Sequence, residues 1–158
     1  MKTKISVFFL VILLTIFIVL PTLYKNILIS ESISLKNEEP FSVTDTIKFK
    51  FDHLKDMEVN MNIFFRVNQD YESYSNLFLF TYLINNELND TISIDTLKYE
   101  IYDNFGVCLG SGPSDMKTFD KVYKKNHMLK KGNYSLNIVH GMYSDLTGLD
   151  NIGFNISK

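Results

Sequence analysis

In several runs between residues 46 and 156 the apolar side chains recur at every second position. Val59, Met61, Ile63, Phe65 and Val67 alternate with Glu58, Asn60, Asn62, Phe64 and Arg66. Ile47, Phe49 and Phe51 alternate with Thr46, Lys48 and Lys50. A helix needs its apolar residues three and four apart, so this period of two excludes one and makes strands with one dry and one wet face. Leu97, Tyr99 and Ile101 form another inward set, followed by Tyr134, Leu136 and Ile138 and by Ile152, Phe154 and Ile156. Leu77 to Ile84 is apolar at nearly every position, which predicts a central strand covered on both faces.

The connections carry turn chemistry. Asn85-Asn86, Asn104-Phe105-Gly106, Gly110-Ser111-Gly112-Pro113, Lys131-Gly132-Asn133 and Gly148-Leu149-Asp150 supply residues that accept positive φ or fix it. About 7–8 short strands separated by such turns predict an all-β fold, an antiparallel β-sandwich over residues 40–158.

A different segment precedes that domain. Met1-Lys2-Thr3-Lys4 leads into the uncharged run Ile5 to Leu20, with Ile5, Phe8, Phe9, Leu10, Leu13, Leu14, Phe17 and Leu20 as its main apolar contacts. Its length falls between a signal-peptide core, about 7–15 residues, and a bilayer-spanning helix, about 17–25. Val19-Leu20-Pro21-Thr22 offers no small-x-small cleavage site, so residues 1–24 read first as an uncleaved hydrophobic helix, a signal anchor, with a cleaved signal peptide as the alternative. The leading lysines hold the N-terminus in the cytoplasm and export the rest. The polar stretch before Pro40 makes residues 25–39 a tether.

Charge narrows the partners. With Lys2 and Lys4 set aside, 14 basic residues remain against 18 acidic ones, a net charge of −4. Nucleic acid needs the opposite field, so no nucleic-acid partner is expected. One cysteine makes no internal disulfide, and the core alone must hold the fold.

That cysteine sits in Gly106-Val107-Cys108-Leu109-Gly110, the spacing of a nucleophile elbow. An elbow requires a helix after the turn, and Ser111-Gly112-Pro113-Ser114 opens none. Nothing places His53, His127 or His140 beside Cys108 as a base. Gly110-Ser111-Gly112 also lacks the lysine and helix of a phosphate loop. Cys108 therefore reads as a small buried side chain on a short strand, Val107 to Leu109, with low thiol reactivity. The histidines show no ligand spacing, and the aspartates, Asp90, Asp95, Asp103, Asp115, Asp145 and Asp150, sit mostly in or beside turns. No catalytic residue, metal or cofactor is expected.

The densest polar constellation runs from Arg66 to Asn76. Arg66, Asp70, Tyr71, Tyr74 and Asn76 are candidates for a partner surface, because Tyr and Arg are enriched at binding hot spots. The plainer reading is structural: Arg66 pairs with Asp70 or stacks on a tyrosine, and Asn76 satisfies loop backbone.

The same residues carry a resemblance. Arg66, Asp70-Tyr71, Tyr74-Ser75-Asn76-Leu77, Asp95-Thr96-Leu97, Asp103, Gly106, Leu109-Gly110, Gly112, Gly132-Asn133-Tyr134 and Gly148-Leu149-Asp150-Asn151-Ile152-Gly153 resemble, in that order, the gliding-motility lipoprotein GldH family of Bacteroidota. The resemblance implies a non-enzymatic envelope component of the gliding machinery, connected with type IX secretion and working through contacts with envelope proteins. It implies no cofactor and no catalytic residue. The chain departs from the family at three places. No cysteine for acylation lies near residues 15–30, Cys108 stands where an aromatic is usual, and His140-Gly141-Met142-Tyr143 replaces a Gln-x-Met-Arg pattern. The apolar segment argues for an inner-membrane anchor with the domain in the periplasm, and the resemblance for the outer membrane. Asp45-Thr46-Ile47, Asp90-Thr91-Ile92 and Asp95-Thr96-Leu97 resemble O-glycosylation sites of that phylum but read first as ordinary strand-edge pairs. The alternative function is an exported carbohydrate-binding β-sandwich module, which the aromatic content permits and the lack of Trp disfavours.

Overall fold

The computed structural model of the chain describes residues 27–35, 40–71, 74–113 and 115–158. The apolar segment Ile5 to Leu20 lies outside them.

Eight strands follow in order: β1 (Ile27–Ser34), β2 (Ile47–His53), β3 (Met57–Asn68), β4 (Asn76–Asn85), β5 (Asp90–Glu100), β6 (Met116–Leu129), β7 (Gly132–His140) and β8 (Leu149–Ser157). They form two four-stranded sheets, β1-β8-β3-β6 and β2-β7-β4-β5. Every pairing is antiparallel. Successive strands alternate between the sheets except at β4–β5, the connectivity of an eight-stranded jelly roll.

The expected inward sets fill the space between the sheets. Met61, Ile63 and Phe65 of β3 and Leu136 and Ile138 of β7 are fully buried. Aromatic rings bind one sheet to the other. Phe49 and Phe51 of β2 meet Phe154 of β8 at 5.0 and 5.2 Å between centroids. Phe65 of β3 meets the edge of Tyr99 of β5 at 4.8 Å, and the Tyr99 hydroxyl donates to the Ile63 carbonyl at 2.9 Å. Such tilted and edge contacts suit the ring quadrupole, and the hydroxyl bond removes the cost of burying a phenol.

Three expectations are corrected. The span expected as a tether, residues 25–39, contains β1, which pairs with β8 from Ile27↔Ser157 to Ser34↔Asn151. None of its side chains is fully buried and only Ile29 packs against the core, so backbone hydrogen bonding to β8 does most of the holding, and Leu28 and Glu31 break the apolar alternation of Ile27, Ile29 and Ile33. The β4 strand is central but covered on one face only: Leu77, Leu79 and Leu83 are buried, whereas Phe80 on the other face is exposed. Around Cys108 the expected strand shrinks to one isolated bridge, Tyr102↔Cys108, and the thiol is half-buried.

Candidate functional site

The two ends of the sandwich differ. At one end, tight turns join β2 to β3, β4 to β5 and β6 to β7, and Ile27 enters there beside Ser157. All the longer connections gather at the opposite end: residues 40–46, the β3–β4 loop, the β5–β6 segment and the β7–β8 loop.

These loops are strapped to one another. Gly148 takes φ +71°, and its carbonyl accepts the Asn68 amide at 2.9 Å. The Asn68 side chain accepts the Asp70 amide at 2.9 Å, and its carbonyl accepts the Tyr71 amide at 3.2 Å. The Tyr102 hydroxyl donates to the Tyr71 carbonyl at 2.9 Å, tying the β5–β6 segment to the β3–β4 loop. Tyr74 and Ser144 share a hydrogen bond between their hydroxyls at 2.9 Å. Phe41 and Leu146 form a backbone bridge, and the His140 ring meets the Phe41 carbonyl at 3.1 Å. An acidic cleft of about 610 Å³ opens among these straps, with Asp70, Asp115 and Asp150 on its wall.

The candidate partner residues do not form one surface. Arg66 is exposed on the outward face of β3, level with Asn151 and Thr118, and among the described residues it makes no ion pair with Asp70. Asn76 lies on the outward face of the other sheet, opposite Glu100. Asp70 is exposed in the loop, and Tyr74 is half-buried. Tyr71 is a correction: it is 1% exposed and belongs to the core, so it supports the loop rather than touching a partner. Burial pushes its phenol well above the ordinary range, with Tyr102 and Tyr74 adding to the shift.

The most exposed aromatics at this end were not singled out by sequence. Tyr143 in the β7–β8 loop is 100% exposed, and Phe105 is 92% exposed. Phe105 stands at the tip of a turn fixed by Asp103, whose carboxylate accepts the Phe105 and Val107 amides, both at 2.8 Å. Gly106 then takes φ +79°. The signal was available, because an aromatic between Asn104 and Gly106 at a turn tip has no core to reach. Val107 and Leu109 beside it are also exposed.

No three His, Cys, Asp or Glu side chains come together as a metal-holding group among the described residues. The chemistry on offer is presentation: exposed rings on loops fixed by backbone hydrogen bonds, which lose little conformational entropy on binding.

Comparison with known proteins gives the chain its relatives. Residues 29–156 match the model of the GldH lipoprotein family. The gliding motility lipoprotein GldH homolog of Christiangramia forsetii is 34% identical over 122 residues, 71% of this chain and 74% of that protein. Among solved structures, a family 35 carbohydrate binding module from an environmental isolate aligns over 82% of this chain and 86% of its own, at 14% identity and a TM-score of 0.42. A second, from Clostridium thermocellum, aligns over 83% and 94% at 10% identity and a TM-score of 0.40.

Proposed function

This chain belongs to the GldH lipoprotein family, and on that premise we propose that it is a non-enzymatic component of the gliding-motility apparatus in the cell envelope, associated with type IX secretion and acting through protein contacts at its long-loop end. The family match runs from β1 to β8, so it concerns the whole sandwich. The observation that carries the contact role is the full exposure of Tyr143 and near-full exposure of Phe105 on loops locked around Tyr71 and Gly148. Large aromatics left in water on rigid loops are characteristic of binding surfaces.

The polarity of the domain suits the role. The chain enters at Ile27, at the tight-turn end, so the loops face away from that point of entry. In this reading the domain sits in the periplasm, held to a membrane through the segment before Ile27, and Asp70, Tyr74 and Asn76 border the aromatic contacts. Tyr71 positions the loop from below. The test is complementation of a deletion strain with the paired substitution Phe105→Ser and Tyr143→Ser. The expected result is normal abundance with loss of colony spreading and of type IX cargo release. Wild-type spreading and release would refute the loop end as the working surface.

A further inference from the structure

We propose that the outward face of the β2-β7-β4-β5 sheet is a second docking surface, whose occupant is a protein presenting an apolar ridge flanked by carboxylates. This rests on observations separate from the loop end.

The β4 strand directs Phe78, Phe80, Tyr82 and Ile84 outward in an unbroken line. The register sets Val139 of β7 beside Phe80, and Ile94 of β5 beside Tyr82. Ile94 is 65% exposed and Phe80 37%. The Phe80 ring occupies the space over Gly141, where a β-carbon would lie 2.5 Å from it. A strand apolar on both faces is the pattern of one buried on both. Here the second face has no cover among the described residues.

The opposite sheet shows what a wet face looks like in the same molecule. Its outward positions include Ser30, Ser32, Asn151 and Asn155, with Phe64, which lies over Gly153, and Val122 as separate apolar side chains among them. Outward apolar side chains occur on both sheets, but four in succession on one strand occur on β4. Contiguous exposed apolar surface of this kind marks interaction sites.

Charge selects the occupant. Lys48 and Lys50 of β2 point outward beside Asn137 and Ser135, and Lys98 of β5 lies beside Phe78. Two carboxylates share the face: Glu100 pairs with Lys98 at 3.3 Å, and Asp52 accepts the Asn133 side-chain amide at 2.6 Å but keeps its charge. Three lysines against two carboxylates leave the face positive by one, and the unpaired Lys48 and Lys50 place that charge along β2, where it complements acidic side chains. A second copy would bring lysine rims together, which the same charges oppose. Phe78, Tyr82, Ile84 and Val139 are half-buried among their neighbours, so the face is broad and has no projecting wedge for a bilayer. Such a face suits packing by a sheet or helix of another protein.

The test places a photo-crosslinking residue at Ile94 in the full chain, in its native envelope, with Val122 on the other sheet as the control. The expected result is one protein adduct from position 94, at least tenfold stronger than from 122, joined through a segment rich in Asp or Glu. Lys48→Glu with Lys50→Glu should cut the yield at least tenfold, while Phe105→Ser with Tyr143→Ser leaves it intact. That last arm separates this surface from the loop end. Equal yields at both positions, an adduct to a second copy, a phospholipid adduct, or indifference to the lysine reversals would each overturn the proposal.

Discussion

Gly148 carries the backbone of Tyr71 directly on its α-carbon: a β-carbon there would lie 2.2 Å from the Tyr71 amide nitrogen and 2.5 Å from the Asp70 carbonyl carbon. Neither atom belongs to a side chain that could swing away. The position also has φ +71°, a conformation that costs an L-residue with a β-carbon about 1–2 kcal/mol. Overpacking against a fixed neighbour adds about 1–3 kcal/mol. Gly148→Ala is therefore expected to lower unfolding free energy by about 2–5 kcal/mol, read from the urea midpoint. A change below about 1 kcal/mol would show that the loops are not held together in this way.

Tyr71 gives the opposite sign. Its ring is buried, and its hydroxyl has no hydrogen-bond partner among the described residues. An unsatisfied buried hydroxyl costs roughly 1–3 kcal/mol. Tyr71→Phe keeps the ring and removes the orphan, so the variant should be more stable by about 1 kcal/mol, with spreading unchanged. A destabilised Tyr71→Phe would mean that the hydroxyl has a partner, such as a trapped water.

The legibility of this fold in sequence followed burial. Strands with strict alternation, such as Val59 to Val67 and Tyr134 to Ile138, were readable because one face packs in the core. The β1 strand was not, because only Ile29 of its side chains packs against the core and its pairing is made by backbone. Nor was β6. Its core residues Phe119, Tyr123 and Leu129 keep no steady period, and its register against β3 shifts twice near Met61. Asn126 there takes φ +48°. Sequence proximity also misled at the site. Arg66 and Asn76 are ten positions apart yet lie on opposite outward faces, while Tyr71 and Gly148, far apart in sequence, are in contact.

Asp103 tests whether Phe105 is presented rather than loose. Its carboxylate accepts two backbone amides of the turn. Asp103→Ala leaves both amides without it, which should lower stability by about 0.5–1.5 kcal/mol at this exposed turn. Backbone hydrogen exchange at Phe105 and Val107 should accelerate, while exchange in the core strands stays slow. Unchanged exchange at both amides would show that the carboxylate does not hold the turn.

Acid should loosen the sandwich from just below neutrality. Burial lowers the pKa of His53, against the pull of Asp56 and of backbone bonds at Leu129 and Lys55. Burial and then the Lys124 ammonium lower that of His127, against Asp95. In the unfolded chain both imidazoles return to about 6.5. Below that value the unfolded state binds more protons than the native one, so stability rises with pH across the window. The contribution is complete above about 6.5 and declines as pH falls toward the native pKa values. Asp95 extends the loss at lower pH. Burial raises its carboxyl, but hydrogen bonds from Lys124, Ser93 and Tyr123 and the Lys124 charge outweigh that and lower it. Lys124 sits 2.8 Å away, so this pair joins the β5 and β6 edges. Urea midpoints should fall from pH 7.5 to pH 5.5 and further below pH 4. His53→Gln should flatten the first step, since it removes a buried titrating ring. A midpoint that stays level between pH 7.5 and 5.5 would rule out neutral buried histidines in the native fold.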